Sequence, residues 1–184
     1  MRLLQTNTNK YKAIIYRTAI KSNFTYMNKI SKILVMVATC LVIGYFSGMV
    51  TRLAIASWYF TLVKPSFNPP NWVFAPVWTM LYIMMGVAAG LVWDKMEKQK
   101  QVVKSALVFF AIQLFLNALW SFLFFGLKNP MLSGIEIIIL WLMIFETYSK
   151  FQKIDKIAGY LIMPYLHWVS FAGVLNANIW WLNR

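Results

Sequence analysis

Cysteine, histidine and acidic side chains are scarce: one cysteine, one histidine and five Asp plus Glu stand among 184 residues. Cys40 is isolated in an apolar run, which excludes an internal disulfide, a thiolate metal cluster and cysteine redox chemistry. His167 has no second histidine or cysteine to complete a metal site, so it reads as a packed or hydrogen-bonded side chain rather than an axial ligand to haem iron. No pair of carboxylates is spaced for acid-base work, and no resident metal or obligatory cofactor is expected.

Charge is also missing over long stretches. No Asp, Glu, Lys or Arg lies between Lys32 and Arg52, Lys64 and Asp94, Lys104 and Lys128, or Lys156 and Arg184, and each run is long enough to cross a bilayer. A fifth apolar run, 131–149, is broken only by Glu136 and Glu146, with Pro130 where a first-turn proline is tolerated. With 60% hydrophobic and 12% charged residues, the chain is far from a soluble balance. Unpaired strand edges do not survive in hydrocarbon and the runs lack strand alternation. The expectation is an all-α integral membrane protein, a five-helix transmembrane bundle forming one domain over 33–182, with helices near 33–55, 71–93, 105–127, 131–149 and 157–182.

Basic residues are plentiful and unevenly placed. Of 18 Lys and Arg, fourteen lie before the first run, in 95–104 and in 150–156; Arg52, Lys64, Lys128 and Arg184 fall on the other side. The positive-inside rule then puts the N-terminus in the cytoplasm and the 52–70 loop outside. The net charge of +13 is thus a topology signal, not a nucleic-acid footprint. Residues 1–32 are basic and acid-free, which suits a mitochondrial presequence. Met27-Asn-Lys-Ile-Ser-Lys also looks like a bacterial start, and the segment is read as a non-native extension or disordered tail. A bacterial inner membrane is the expected location, with a mitochondrial membrane as the alternative.

Aromatic residues and prolines crowd one place. The stretch 58–78 holds Trp58, Trp72 and Trp78 with Pro65, Pro69, Pro70 and Pro76, and Lys64 as its one charge. Trp58, Trp72, Trp93, Trp180 and Trp181 sit near helix ends, as interfacial indoles do. Trp78, Trp120, Trp141 and Trp168 fall inside spans. The first two and Trp168 share the half of the bilayer under the 52–70 loop, which points to a pocket for a flat aromatic guest. Pro76 and Pro164 each free a backbone carbonyl near Trp78 and Trp168. Gln113, Asn117, Trp120 and Phe124 recur on one helical face, equally readable as interhelical hydrogen bonding or as ligand contact. Glu136 is an intramembrane carboxyl, either functional or a snorkelling or amide-paired group, whereas Glu146 pairs with Lys150 one turn on. Gly44 with Gly48, and Gly86 with Gly90, form GxxxG pairs suited to packing within the bundle or to a homodimer face.

Together these residues form a longer pattern. Trp58-Tyr59, Lys64-Pro65-Ser66-Phe67-Asn68-Pro69-Pro70, Pro76-Val77-Trp78, Leu81-Tyr82, Gln113-Leu114, Asn117, Trp120-Ser121, Phe124-Phe125, Pro164-Tyr165, Trp168 and Leu175-Asn176 resemble the tryptophan-rich sensory protein family, which includes the translocator protein or peripheral-type benzodiazepine receptor. The resemblance covers 33–182. It implies a five-helix bundle, commonly dimeric, that binds porphyrin, haem and related tetrapyrroles between its helices under the loop joining the first two. Some members also bind cholesterol or synthetic benzodiazepine-type ligands. Tyr59, Pro65, Trp78, Gln113, Asn117, Trp120 and Trp168 match pocket positions. Trp78 and Trp168 match indoles implicated in light-dependent porphyrin breakdown, the one catalytic role considered. The C-terminal cholesterol pattern is incomplete, since 175–184 contains no tyrosine. The resulting expectation is a tetrapyrrole-binding membrane sensor or regulator, at most a slow photochemical enzyme. The alternative is a transporter of porphyrins or sterols, against which the chain offers no repeated halves and no coupling-ion site beyond Glu136.

Overall fold

Residues 27–184 are described in a computed structural model, and they form five long helices. These are α1 (Lys29–Ile55), α2 (Asn71–Asp94), α3 (Lys100–Ser121, continued by a π-helical turn Phe122–Gly126), α4 (Pro130–Ile154) and α5 (Lys156–Leu182). Each is long and apolar enough to cross a membrane. Most of the basic extension, residues 1–26, lies outside the described residues.

The helices overrun the charge-free segments at several ends. An apolar run measures only the hydrocarbon crossing, whereas a helix continues into the interface until a cap stops it. Asn28 caps α1 by accepting from Ser31 N at 2.8 Å, so α1 starts at Lys29 rather than 33. Asn129 caps α4 through Leu132 N at 2.9 Å, and Asp155 separates α4 from α5 by accepting from Ile157 N and Ala158 N. Thus α4 runs to Ile154 rather than 149, and α3 begins at Lys100 rather than 105 without a side-chain cap.

The helices pack as a ring in the order α1, α2, α5, α4, α3, closed where the π-turn of α3 meets α1. One end carries the long loop 56–70 and the α3–α4 turn; the other carries the N-terminus of α1 and the α2–α3 and α4–α5 turns. Lys32, expected in the tail, is drawn into the first turn of α1 and pairs with Asp94 of α2 at 3.1 Å. It is only 6% exposed, so this ion pair ties the two helices at the end away from the long loop.

Glycine sets how closely α1 and α2 approach. A Cβ on Gly86 would lie 2.4 Å from Val37 Cα, and one on Gly90 2.5 Å from Ile33 Cα. On the facing helix, Gly44 seats the Tyr82 ring, which a Cβ would meet at 2.5 Å. These three glycines thus serve packing between α1 and α2 within the chain. A Cβ on Gly48 would meet nothing within 4 Å among the described residues.

Candidate ligand-binding cavity

The half of the bundle under the long loop is hollow. A cavity of about 780 Å³ lies between α1, α2, the end of α3 and α5, within the size range of ligand pockets. Its walls include Tyr59, Trp72, Phe74, Trp78, Trp120, Phe124, Trp168 and Phe171, and the α1 side supplies Gly44, Ser47, Gly48, Thr51 and Arg52.

Helical spacing accounts for both walls. Phe74 and Trp78 are four residues apart on α2, Trp168 and Phe171 three apart on α5, so each pair shares a face. The two pairs meet where Phe74 and Trp168 pack edge to face at 6.4 Å. On α3 the π-turn inserts a wider loop of backbone, with Leu127 N donating to Phe122 O at 2.8 Å. That shift buries both Phe124 and Phe125, and Trp120 stacks on Phe124 at 5.1 Å.

The indoles are held from behind by hydrogen bonds. Trp120 Nε1 donates to Asn176 Oδ1 at 3.2 Å, and Asn176 Nδ2 donates to the Pro130 carbonyl at 2.6 Å. Ser133 Oγ completes this node, 2.9 Å from Asn176 Oδ1, so α3, α4 and α5 are fixed together at one side of the cavity. Trp78 packs on Tyr82 and Tyr165 at 5.8 and 6.2 Å. Both phenols are anchored by Asn117: Tyr82 Oη donates to Asn117 Oδ1, and Asn117 Nδ2 donates to Tyr165 Oη at 3.0 Å.

The loop is strapped over this space. Tyr59, on the single helical turn Trp58–Thr61, is 2% exposed and donates to Asn68 Oδ1 at 2.7 Å. Burial pushes its phenol up to about 12 against the opposing pull of that hydrogen bond, so it stays neutral at physiological pH. Asn68 N closes a turn onto the Pro65 carbonyl at 3.0 Å. Val63 N and O each bond the Asn183 side chain at 2.9 Å, joining the loop to the end of α5.

Of the residues named from sequence, Tyr59, Trp78, Trp120 and Trp168 are brought into one wall. Pro65, Gln113 and Asn117 do not line the cavity. Pro65 shapes the loop turn. Asn117 is used up by the two tyrosines. Gln113, one turn deeper and 1% exposed, has among the described residues only Met85 Sδ at 4.0 Å for its amide nitrogen and no partner for its oxygen. Lys64 donates to the Phe60 and Leu62 carbonyls and stands 5.0 Å from the Tyr59 ring. Glu136 neither snorkels nor pairs with an amide: it is 6% exposed, and neither oxygen has a hydrogen-bond partner among the described residues. Glu146 does pair with Lys150, at 3.2 Å. His167 faces outward with Nδ1 2.8 Å from the Met163 carbonyl, and Trp141 is bonded to Ser170 and stacked on Phe145, away from the cavity. Sequence reading missed Trp72, treated only as an interfacial anchor, and Phe74, Phe171 and Arg52. The two phenylalanines were within reach, each being one helical turn from an indole already singled out.

Replacing Asn117 with leucine leaves two buried phenols without their partners. An unsatisfied buried group costs about 1–3 kcal/mol, but polar contacts between membrane helices average nearer 0.6 kcal/mol because the lipid-embedded unfolded state also finds partners. With two phenols affected, thermal unfolding in detergent should register a loss of about 1–2 kcal/mol.

The family model for TspO/MBR matches residues 36–182. The chain belongs to the TspO/MBR family. Among its relatives, the tryptophan-rich protein TspO of Chlorobaculum tepidum is 46% identical, covering 85% of this chain and 99% of that one. The tryptophan-rich protein TspO of Archaeoglobus fulgidus is 38% identical over 84% of this chain and 98% of its own. The translocator protein of Bos taurus is 32% identical over 77% of this chain and 83% of its own. As a TspO/MBR protein with five apolar spans, the chain is an integral membrane protein.

Proposed function

We propose that this TspO/MBR protein is a membrane tetrapyrrole-binding sensor or regulator, with porphyrin or haem held in the cavity under the 56–70 loop. The observation that carries the reading is the convergence of Trp78, Trp120 and Trp168 on one cavity of about 780 Å³ with mostly apolar walls. Such walls hold a flat macrocycle by stacking and edge contacts, and the polar node at Asn176 keeps Trp120 in place. No group in the wall is arranged for acid-base turnover, so binding is the primary activity. Under illumination, an excited porphyrin in contact with Trp78 or Trp168 accepts an electron from the indole, and the buried site keeps the radical pair from water. On this reading the N-terminus is cytoplasmic and the cavity opens toward the outer face of a bacterial inner membrane, following the lysine-rich turns at the opposite end.

Titration of the purified chain with protoporphyrin IX in the dark should quench tryptophan fluorescence saturably. Trp78→Phe and Trp168→Phe should each weaken binding about two- to tenfold, the loss of roughly 0.5–1.5 kcal/mol of aromatic contact, and each should slow light-driven loss of porphyrin absorbance. Unchanged affinity and unchanged photolysis in both variants would reject the reading. Porphyrin flux into proteoliposomes abolished by Glu136→Gln would replace it with transport.

A further inference from the structure

We infer that Arg52 anchors an acidic group on the cavity's guest, so that the site selects anionic amphiphiles over neutral molecules of the same shape. The inference rests on the binding cavity and deepens the tetrapyrrole reading by naming the charge that the ligand must carry.

Four cations occupy the loop end of the bundle among the described residues: Arg52, Lys64, Lys128 and Arg184. Only Arg52 lines the cavity. No acid stands near it to use its charge: Asp94, Glu97, Glu146 and Asp155 are at the opposite end, and Glu136 is buried within α4. The ion pairs among the described residues are Lys32 with Asp94 and Lys150 with Glu146, and neither involves Arg52. A guanidinium so placed keeps its fork of donors free for a planar oxyanion.

The α1 wall also gives the guest a direction. Gly48 leaves space for a ring system, and Arg52 follows one turn later, about 6 Å further toward the loop end. Aromatic surface therefore lies deep and positive charge lies at the mouth. A flat apolar body with a carboxylate on one edge satisfies both at once, and a charge-assisted bond there strengthens binding about tenfold or more.

The test compares protoporphyrin IX with its dimethyl ester, using the full chain in neutral-lipid nanodiscs. The native protein should bind the free acid about tenfold or more tightly. Arg52→Gln should remove that preference while leaving ester affinity unchanged, and Arg52→Lys should retain part of it. Thermal unfolding checks that each variant remains folded. A free-acid preference persisting in Arg52→Gln, or absent from a native protein that binds both porphyrins, overturns the inference. 1-Pyrenebutyrate and its methyl ester repeat the comparison on a ring that is not a tetrapyrrole. Loss of acid preference for the pyrene pair in Arg52→Gln, with no porphyrin binding to the native chain, upholds Arg52 and rejects the tetrapyrrole reading. Equal binding of the pyrene pair by both proteins counts against Arg52.

Discussion

Gly48→Leu should remove binding of a flat apolar guest by more than tenfold and leave the bundle folded. A Cβ at this position meets no atom within 4 Å, and the residue lines the cavity, so the added side chain enters empty space rather than a neighbour. Replacing glycine inside a helix also relieves a backbone penalty of about 0.8–1 kcal/mol, so thermal stability should hold or rise. Gly44→Leu is the contrasting control. Its first side-chain carbon would sit 2.5 Å from the Tyr82 ring, displacing the phenol that Asn117 holds and the surface on which Trp78 packs. That variant should lose stability and binding together. Porphyrin titration alongside thermal unfolding separates the two outcomes; full affinity in folded Gly48→Leu would show that the guest does not use this cavity.

The second large effect is on the scaffold. Gly86→Val and Gly90→Val place a branched side chain against the backbone of α1, 2.4 Å from Val37 Cα and 2.5 Å from Ile33 Cα. Backbone cannot yield as a flexible side chain would, so α1 and α2 must separate, and overpacking of this kind costs about 1–3 kcal/mol or more. Separation would also strain the buried Lys32–Asp94 pair at the same end, and an unpaired charge there is worse than none. Both variants should unfold at distinctly lower temperature in detergent, with Gly90→Val, nearer the ion pair, the more affected. Unchanged melting in both would mean that α1 does not pack on α2 as described.

Much of the architecture was readable because the bilayer imposes it. Four charge-free runs and a fifth broken only by two glutamates marked five spans, since an unpaired charge in hydrocarbon is costly and backbone polar groups must bond within a helix. The ends were less legible: Lys32 lies inside α1 because Asp94 neutralises it, a partner 62 residues away. Four of the seven ligand positions inferred from family resemblance line the cavity. Gln113 and Asn117 do not, although they share the helical stripe of Trp120. A stripe shows which residues face inward and says nothing about where along it packed core gives way to open space.

Hydrophobic length by itself determined that this chain is a bundle of five membrane helices, and the clustered indoles and prolines marked the end where a site would be. How each helix is rotated was decided only by the tertiary structure. Lipid and protein interior are equally apolar, so periodicity does not separate Trp141, on the outer side of α4 and α5, from Trp168 in the cavity wall. The same holds within one GxxxG pair, where Gly44 is filled by Tyr82 and Gly48 opens into the cavity. What surrounds a small residue depends on the neighbouring helix, and the ring order α1, α2, α5, α4, α3 chooses that neighbour.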